Sequence, residues 1–198
     1  MRRPALLLLL PSLLAGVSPA ALALPWSIQV RNAGGQPLAD AVVAVELSGK
    51  PLKTSSAKAD MGQRDKQFTP QLLVVQTGTA VNFPNFDTVR HHVYSFSPIK
   101  VFETKLYSGT PSEPIVFDKP GVATLGCNIH DRMSAHIVVV DTPMFGRTDA
   151  TGTVRFDLPA GEHQLKVWHA SFKRDQLQAQ PLKVEAAGGG QSVVTTGD

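Results

Sequence analysis

Thiols are almost absent from this sequence. The 198 residues hold one cysteine, Cys127. A single cysteine excludes an intrachain disulfide framework. It also excludes sites that need two thiolates from one chain, such as zinc ribbons, iron–sulfur clusters and binuclear copper centres. Long apolar runs are missing too. The one candidate, Ala5 to Leu14, is broken by Pro11 and Ser12 and is shorter than the roughly 20 residues a bilayer span needs. A polytopic membrane protein is therefore excluded. No cluster of Lys and Arg marks a nucleic-acid face.

The N-terminus reads as a secretory signal peptide over residues 1–23. Arg2 and Arg3 supply the positive start, the short apolar stretch follows, and Ala21-Leu22-Ala23 is a small-x-small cleavage site. Cleavage after Ala23 removes 23 of 198 residues and leaves 175, enough for one moderate domain or two small ones. Removing Arg2 and Arg3 from the 19 basic residues leaves 17 against 16 acidic ones, so the exported chain is close to neutral. Export would place it in the periplasm or outside the cell, with no membrane span in the mature chain. A lone thiol is a liability there, because it can oxidise or cross-link. Cys127 should therefore be protected or used.

Helical periodicity is nearly absent after the signal. Gly (16) and Pro (15) are spread along the chain. Between them lie short runs rich in Val, Ile, Phe and Thr, which is an all-β pattern. The expected strands are Trp26–Arg31, Ala41–Leu47, Gln71–Gln76, Thr79–Phe83, His92–Phe96, Ile115–Phe117, Gly121–Leu125, His136–Val140, Thr153–Asp157, His163–Trp168 and Leu182–Glu185. Lys53 to Asp65 is polar and reads as a loop. Gly188-Gly189-Gly190 opens what reads as a flexible tail over residues 188–198.

The run Cys127-Asn128-Ile129-His130-Asp131-Arg132-Met133 carries the most chemistry. It offers a thiolate, an imidazole and a thioether in C-x2-H-x2-M spacing between two strand-like segments. A tight loop joining two strands can turn three side chains toward one point. Soft sulfur with imidazole favours copper in both oxidation states. A fourth ligand should come from a His on another strand. Asn85-Phe86-Asp87-Thr88-Val89-Arg90-His91-His92-Val93 holds a histidine pair about 35 residues upstream. The sum is two His, one Cys and a weak axial Met, the blue-copper set. Simpler readings exist. A lone Cys is often an inert buried residue, and Met often fills core gaps. Zinc suits Cys/His sites and would be redox-silent. Cys127 with His130 as a nucleophile and base lacks a visible orienting residue. His136 reads as a solvated strand residue, and His163 and His169 as ordinary surface or half-buried histidines. Met144 reads as packing.

Gly78-Thr79-Ala80-Val81-Asn82-Phe83 followed by Asn85, His91-His92-Val93, Pro120-Gly121 and Cys127-x-x-His130-x-x-Met133 resembles the cupredoxin family. The ligand loop has amicyanin-like spacing. The wider stretch from about Phe68 to Phe145 resembles exported cupredoxin-like proteins labelled "methylamine utilization protein". That resemblance implies a Greek-key cupredoxin β-sandwich holding one type 1 copper ion per chain, with His91, Cys127, His130 and Met133 as ligands. It departs from the family at two points: His92 stands where Asn usually follows the first ligand, and Gly126 where an aromatic often precedes the Cys. The step from Asn85 favours His91 over His92, while strand phase leaves the choice open, since Tyr94 and Phe96 share the phase of His92.

The flanks resemble two halves of a carboxypeptidase-regulatory-like sandwich, in Ile28-Gln29-Val30 with Gly35 to Val45, and in Thr148 to Trp168. The expected fold is therefore an all-β, Greek-key cupredoxin β-sandwich with an additional β-sandwich formed by the flanking segments. Its expected parts are residues 24–58 and 144–187 for the accessory sandwich and 60–143 for the cupredoxin unit. A single cupredoxin with extra terminal strands is the alternative. In function, the resemblance implies a one-electron carrier with a periplasmic redox partner protein rather than an enzyme. The alternative is a redox-silent protein for copper binding and delivery, or an adaptor.

Overall fold

The computed structural model describes residues 23–111, 113–130, 132–186 and 188–197. The expected signal peptide lies outside them, apart from Ala23. The described residues form seventeen strands: β1 (Ala23–Arg31), β2 (Val42–Glu46), β3 (Lys58–Asp60), β4 (Gly62–Arg64), β5 (Gln67–Thr69), β6 (Leu72–Gln76), β7 (Thr79–Asn82), β8 (Tyr94–Ser97), β9 (Lys100–Glu103), β10 (Ile115–Phe117), β11 (Gly121–Gly126), β12 (Ser134–Val140), β13 (Phe145–Arg147), β14 (Thr153–Pro159), β15 (Gly161–Trp168), β16 (Gln178–Val184) and β17 (Gly190–Thr195). No helix among them is long and apolar enough to cross a membrane.

Two sandwiches result, and they stack. The central one pairs a five-stranded sheet, β6-β12-β11-β8-β9, with a three-stranded sheet, β10-β7-β3; the short β4-β5 hairpin stands beside them. The second is built from both flanks. It pairs β14-β1-β17 with β13-β2-β15-β16. The all-β architecture is as the sequence pattern predicts.

Strand alternation explains the stacking. Successive side chains on a strand point to opposite faces. Along β12, Ile137 and Val139 join the core of the central sandwich, with Ala123 and Leu125 from β11 and Val81 from β7. Along β2, Val43 and Val45 join the flank core, with Ile28, Val30, Leu165 and Val167. The remaining residues of both strands, Val138 and Val140, Val42 and Ala44, meet each other and Trp168 in a third core between the sandwiches. The runs Val42–Val45 and Ile137–Val140 are apolar at every position because both faces are covered. Each such side chain contributes about 1.5–3 kcal/mol on burial.

Three expectations need correction. The polar segment Lys53–Asp65 is not simply a loop: it contains β3 and β4. Strand β3 pairs with β7 through backbone groups, so polar side chains do not prevent it. The tail is no free end either. Strand β17 lies parallel to β1 over six positions, Trp26 Nε1 donates to Ser192 Oγ at 3.0 Å, and Val194 is buried. A Cβ at Gly190 would stand 2.5 Å from the Trp26 ring, so glycine allows the approach. Lastly, the strand expected from His92 begins at Tyr94.

Candidate metal centre

His91 is delivered by a loop that closes on its own side chains. Asn85 follows β7 and donates from Nδ2 to the carbonyls of Val89 (2.9 Å) and Tyr107 (3.1 Å), while its Oδ1 accepts the Asp87 N–H at 2.9 Å. His91 and Tyr107 then exchange both backbone hydrogen bonds at 3.0 Å. The imidazole is fully buried. Its Nε2 lies 2.7 Å from Asp87 Oδ2, and its Nδ1 lies 3.8 Å from Cys127 Sγ. The carboxylate accepts, so Nε2 carries the proton. Nδ1 is then left with its lone pair toward the sulfur, the tautomer a metal ligand needs.

Cys127 follows directly on β11 and is buried. The loop then turns back into β12. Met133 closes it, donating its N–H to the His130 carbonyl at 2.9 Å. The rings of His91 and His130 stand 5.0 Å apart at 55°. One donor atom each from His91, Cys127 and His130 fall within 4.8 Å of one another. His130 is half-buried, yet its Nδ1 is inaccessible and has no hydrogen-bond partner among the described residues. Such an orphaned nitrogen costs free energy unless a ligand or ion takes its lone pair. Met133 is buried within the same core cluster as Cys127. Asp131 lies outside the described residues.

His92 stands apart from this group. Its Nε2 lies 2.9 Å from Glu103 Oε1, and its ring is 5.7 Å from that of Tyr94. Gly126 also has a structural account. A Cβ there would lie 2.4 Å from the Tyr94 ring, so the aromatic comes from the neighbouring strand, where β8 pairs with β11 at Tyr94 and Gly126.

Sequence reasoning missed the residues behind the candidate donors. Asp87 is one. Tyr107 is another: its hydroxyl donates to the Phe83 carbonyl at 2.7 Å and accepts from Gln63 Nε2 at 2.5 Å. Burial pushes the Tyr107 phenol up to about 12, the Gln63 hydrogen bond opposes this, and the nearby Cys127 adds to the rise. Tyr107 therefore stays a neutral donor behind His91. Asp87 sat within the stretch already singled out, two residues past Asn85; Gln63 had no signal, lying in a segment read as a loop. His136, expected in solvent, is half-buried with its ring 4.9 Å from that of Trp168. His163 is buried, with Nε2 at 2.8 Å from the Pro159 carbonyl.

The donor set is one thiol, two imidazoles and a neighbouring thioether. Copper fits it better than harder cations, which prefer oxygen. No family model matches the chain, and no curated protein sequence matches it. Among solved structures it is similar to a purple cupredoxin from Nitrosopumilus maritimus, at 21% identity over 42% of this chain and 99% of that one, with a TM-score of 0.37. It is similar to a reduced amicyanin mutant at 15% identity, over 50% of this chain and 98% of that one, with a TM-score of 0.39. A copper-containing nitrite reductase from Thermus scotoductus SA-01 is similar at 25% identity, over 50% of this chain and 25% of that one, with a TM-score of 0.39.

Proposed function

We propose that this chain is an exported mononuclear type 1 copper protein that carries single electrons, with His91, Cys127 and His130 as close ligands and Met133 as the weak axial one. The observation that carries the reading is the approach of the three donor atoms to within 4.8 Å. The unpartnered Nδ1 of His130 supports it. So do the resemblance of the ligand loop to amicyanin and the signal-like N-terminus.

Bound copper would supply a couple between Cu(II) and Cu(I), one electron apart. The protein does the rest. Asp87 holds the His91 tautomer. Cys127 is buried, which limits the access of water to the sulfur. Two paired strands of the five-stranded sheet anchor the ends of the loop, β11 before it and β12 after it. His130 is the most exposed of the three ligands and follows Ile129, which is itself exposed. The electron would enter from one periplasmic redox protein and leave to another, with no bond made or broken, so the role is that of a carrier rather than an enzyme. The methylamine-utilization resemblance suggests amine oxidation as the setting. We also propose that the accessory sandwich is one split domain, residues 24–58 and 144–187, with the copper unit inserted between its halves.

Loading with Cu(II) tests the reading. The protein should turn intensely blue or green, bleach with ascorbate, and give a colourless Cys127→Ser variant. A colourless, redox-silent Cu(II) protein, or one that keeps zinc in preference, overturns it. One observation favours copper delivery as a second reading: Cys127 and Met133 both line a surface hollow of about 530 Å³. Rapid loss of Cu(I) to a modest chelator would favour delivery, and retention through dialysis would favour the carrier.

A further inference from the structure

The five-stranded sheet ends on β9, and among the described residues no strand lies beyond it. Its ladder with β8 runs Tyr94↔Glu103, Ser95↔Phe102, Phe96↔Val101 and Ser97↔Lys100. Next along the chain, the Thr104 N–H donates to the Val93 carbonyl at 2.9 Å. In an antiparallel pair, backbone groups face the partner strand at every second residue and face away at the others. Thr104, Phe102 and Lys100 therefore face β8. Val101 and Glu103 direct their N–H and C=O groups to the open edge, with no strand to take them.

The side chains beside this edge are apolar and bare. Phe96 is 69% exposed and Val101 67%, the highest values among the exposed large apolar residues of the described chain. They stand directly opposite each other, in the closely spaced kind of pair whose side chains meet. Tyr94 extends the row, its ring 5.0 Å from that of Phe96. Tyr94 is also opposite Gly126, and Val122 lies four residues before Gly126 on β11, so Phe96 and Val122 share one face of the sheet. Over β11 and β12 that face is covered by the flanking sandwich, through Val122, Val138 and Val140. Over β8 and β9 it is open.

The strand is suited to a copy of itself. Lys100 Nζ pairs with Asp118 Oδ1 at 3.2 Å, and Glu103 Oε1 takes His92 Nε2 at 2.9 Å. The charged side chains of β9 are thus engaged within the chain, and a second β9 meets no unpaired like charge. Turned about a two-fold axis at Phe102, Val101 of each protomer exchanges both backbone hydrogen bonds with the partner's Glu103. Every open donor and acceptor of the edge is then used. The two Val101 side chains come to diagonal positions on one face, with a Phe96 on either side.

We propose that β9 is a dimer interface, pairing antiparallel with β9 of a second copy. Two five-stranded sheets become one continuous sheet, and the contact is isologous. The inference does not depend on the metal assignment.

The full chain is followed by sedimentation equilibrium from low micromolar to roughly millimolar concentration, with a reductant present so that Cys127 cannot cross-link. A monomer–dimer equilibrium is expected. The Val101 and Glu103 amides should be protected from hydrogen exchange in the dimer and open on dilution. Val101→Lys should weaken association roughly tenfold or more, because a lysine in an edge strand disfavours pairing. Its position is exposed, so the variant keeps the fold. Val101→Pro should do the same by another route, removing an N–H that the β8 ladder does not use. A chain that stays monomeric throughout overturns the proposal. So does a dimer that Val101→Lys leaves intact, or one whose Val101 and Glu103 amides exchange as freely as in the monomer.

Discussion

Asp87 and His91 share a hydrogen bond of 2.7 Å, and the same carboxylate accepts the backbone N–H groups of Asp65 at 2.7 Å and Lys66 at 3.0 Å. Asp65 and Lys66 form the β4-β5 turn with φ of 54° and 59°, values non-glycine residues seldom adopt. One carboxylate therefore holds both a left-handed turn and the imidazole nearest the thiol. Burial pulls the Asp87 carboxyl upward, but hydrogen bonds from the Lys66 amide, His91 and the Asp65 amide outweigh it and leave it below its ordinary value. Asp87→Asn keeps the shape and removes the charge. A neutral amide makes His91 a weaker electron donor, which disfavours the oxidised ion. The reduction potential should rise, and copper affinity should fall about 10–100-fold. Voltammetry and a competition titration check both, and no change in either would contradict this role.

The two adjacent histidines separate by colour. His91→Ala should open a coordination position and shift or abolish the thiolate-to-copper band. His92→Ala should keep the band, because its imidazole lies against Glu103. Visible spectra of the two Cu(II)-loaded variants decide the matter; a colourless His92→Ala beside a blue His91→Ala would reverse the assignment.

Gly78 makes the turn from β6 to β7 with φ of 93°, and a Cβ there would lie 2.4 Å from the Ser55 carbonyl oxygen. Backbone cannot swing aside as a side chain can. Gly78→Ala should cost about 1–3 kcal/mol from the strained conformation alone. Urea unfolding measures it, and a variant as stable as the parent would refute the steric argument.

Removing residues 188–198 deletes β17 and bares the edge of β1. Buried Val194 and the Trp26–Ser192 hydrogen bond go with it. The truncated chain should unfold at a lower temperature, with its Cu(II) spectrum unchanged. An unaltered thermal midpoint would show that the last strand adds nothing.

Burial lowers the His136 pKa below its ordinary value, with Asp175 pulling the other way. A depressed folded-state value means that the unfolded chain binds the proton more readily. Stability from this group is complete above the unfolded pKa of about 6.5 and is lost as pH falls through the folded value. Unfolding from pH 7.5 down to pH 5 should show a loss that His136→Gln lacks. Parallel profiles for the two proteins would remove His136 from the account.

Much of this was legible because the signals were local. Val42–Val45 and Ile137–Val140 announce strands by β-branched content, and C-x2-H-x2-M places its donors within one loop. The choice between His91 and His92 was not legible from phase. His91, His92 and Val93 are all buried and precede β8, so the alternation rule has no strand to act on. Gln63 and Tyr107, 44 positions apart, meet only in the folded chain, and nothing near either residue records the other. The last strand was hidden because its glycines, read as flexibility, instead make room for an indole.

Strand β1 lies between β14 and β17, so the earliest strand of the described chain is completed by the last. Trp26 and Ser192 are 166 positions apart. At synthesis rates of about 5–20 residues per second, roughly ten to thirty seconds pass between their appearances. Ile28 and Val30 must wait through that interval with an unpaired edge beside them, open to association with other chains. The central sandwich waits less, since its strands lie between the two halves and its farthest pairing, β6 with β12, joins Leu72 to His136. Folding should therefore begin in the middle of the chain and end at its two extremities, and a holdase acting on the nascent protein would find its target at β1.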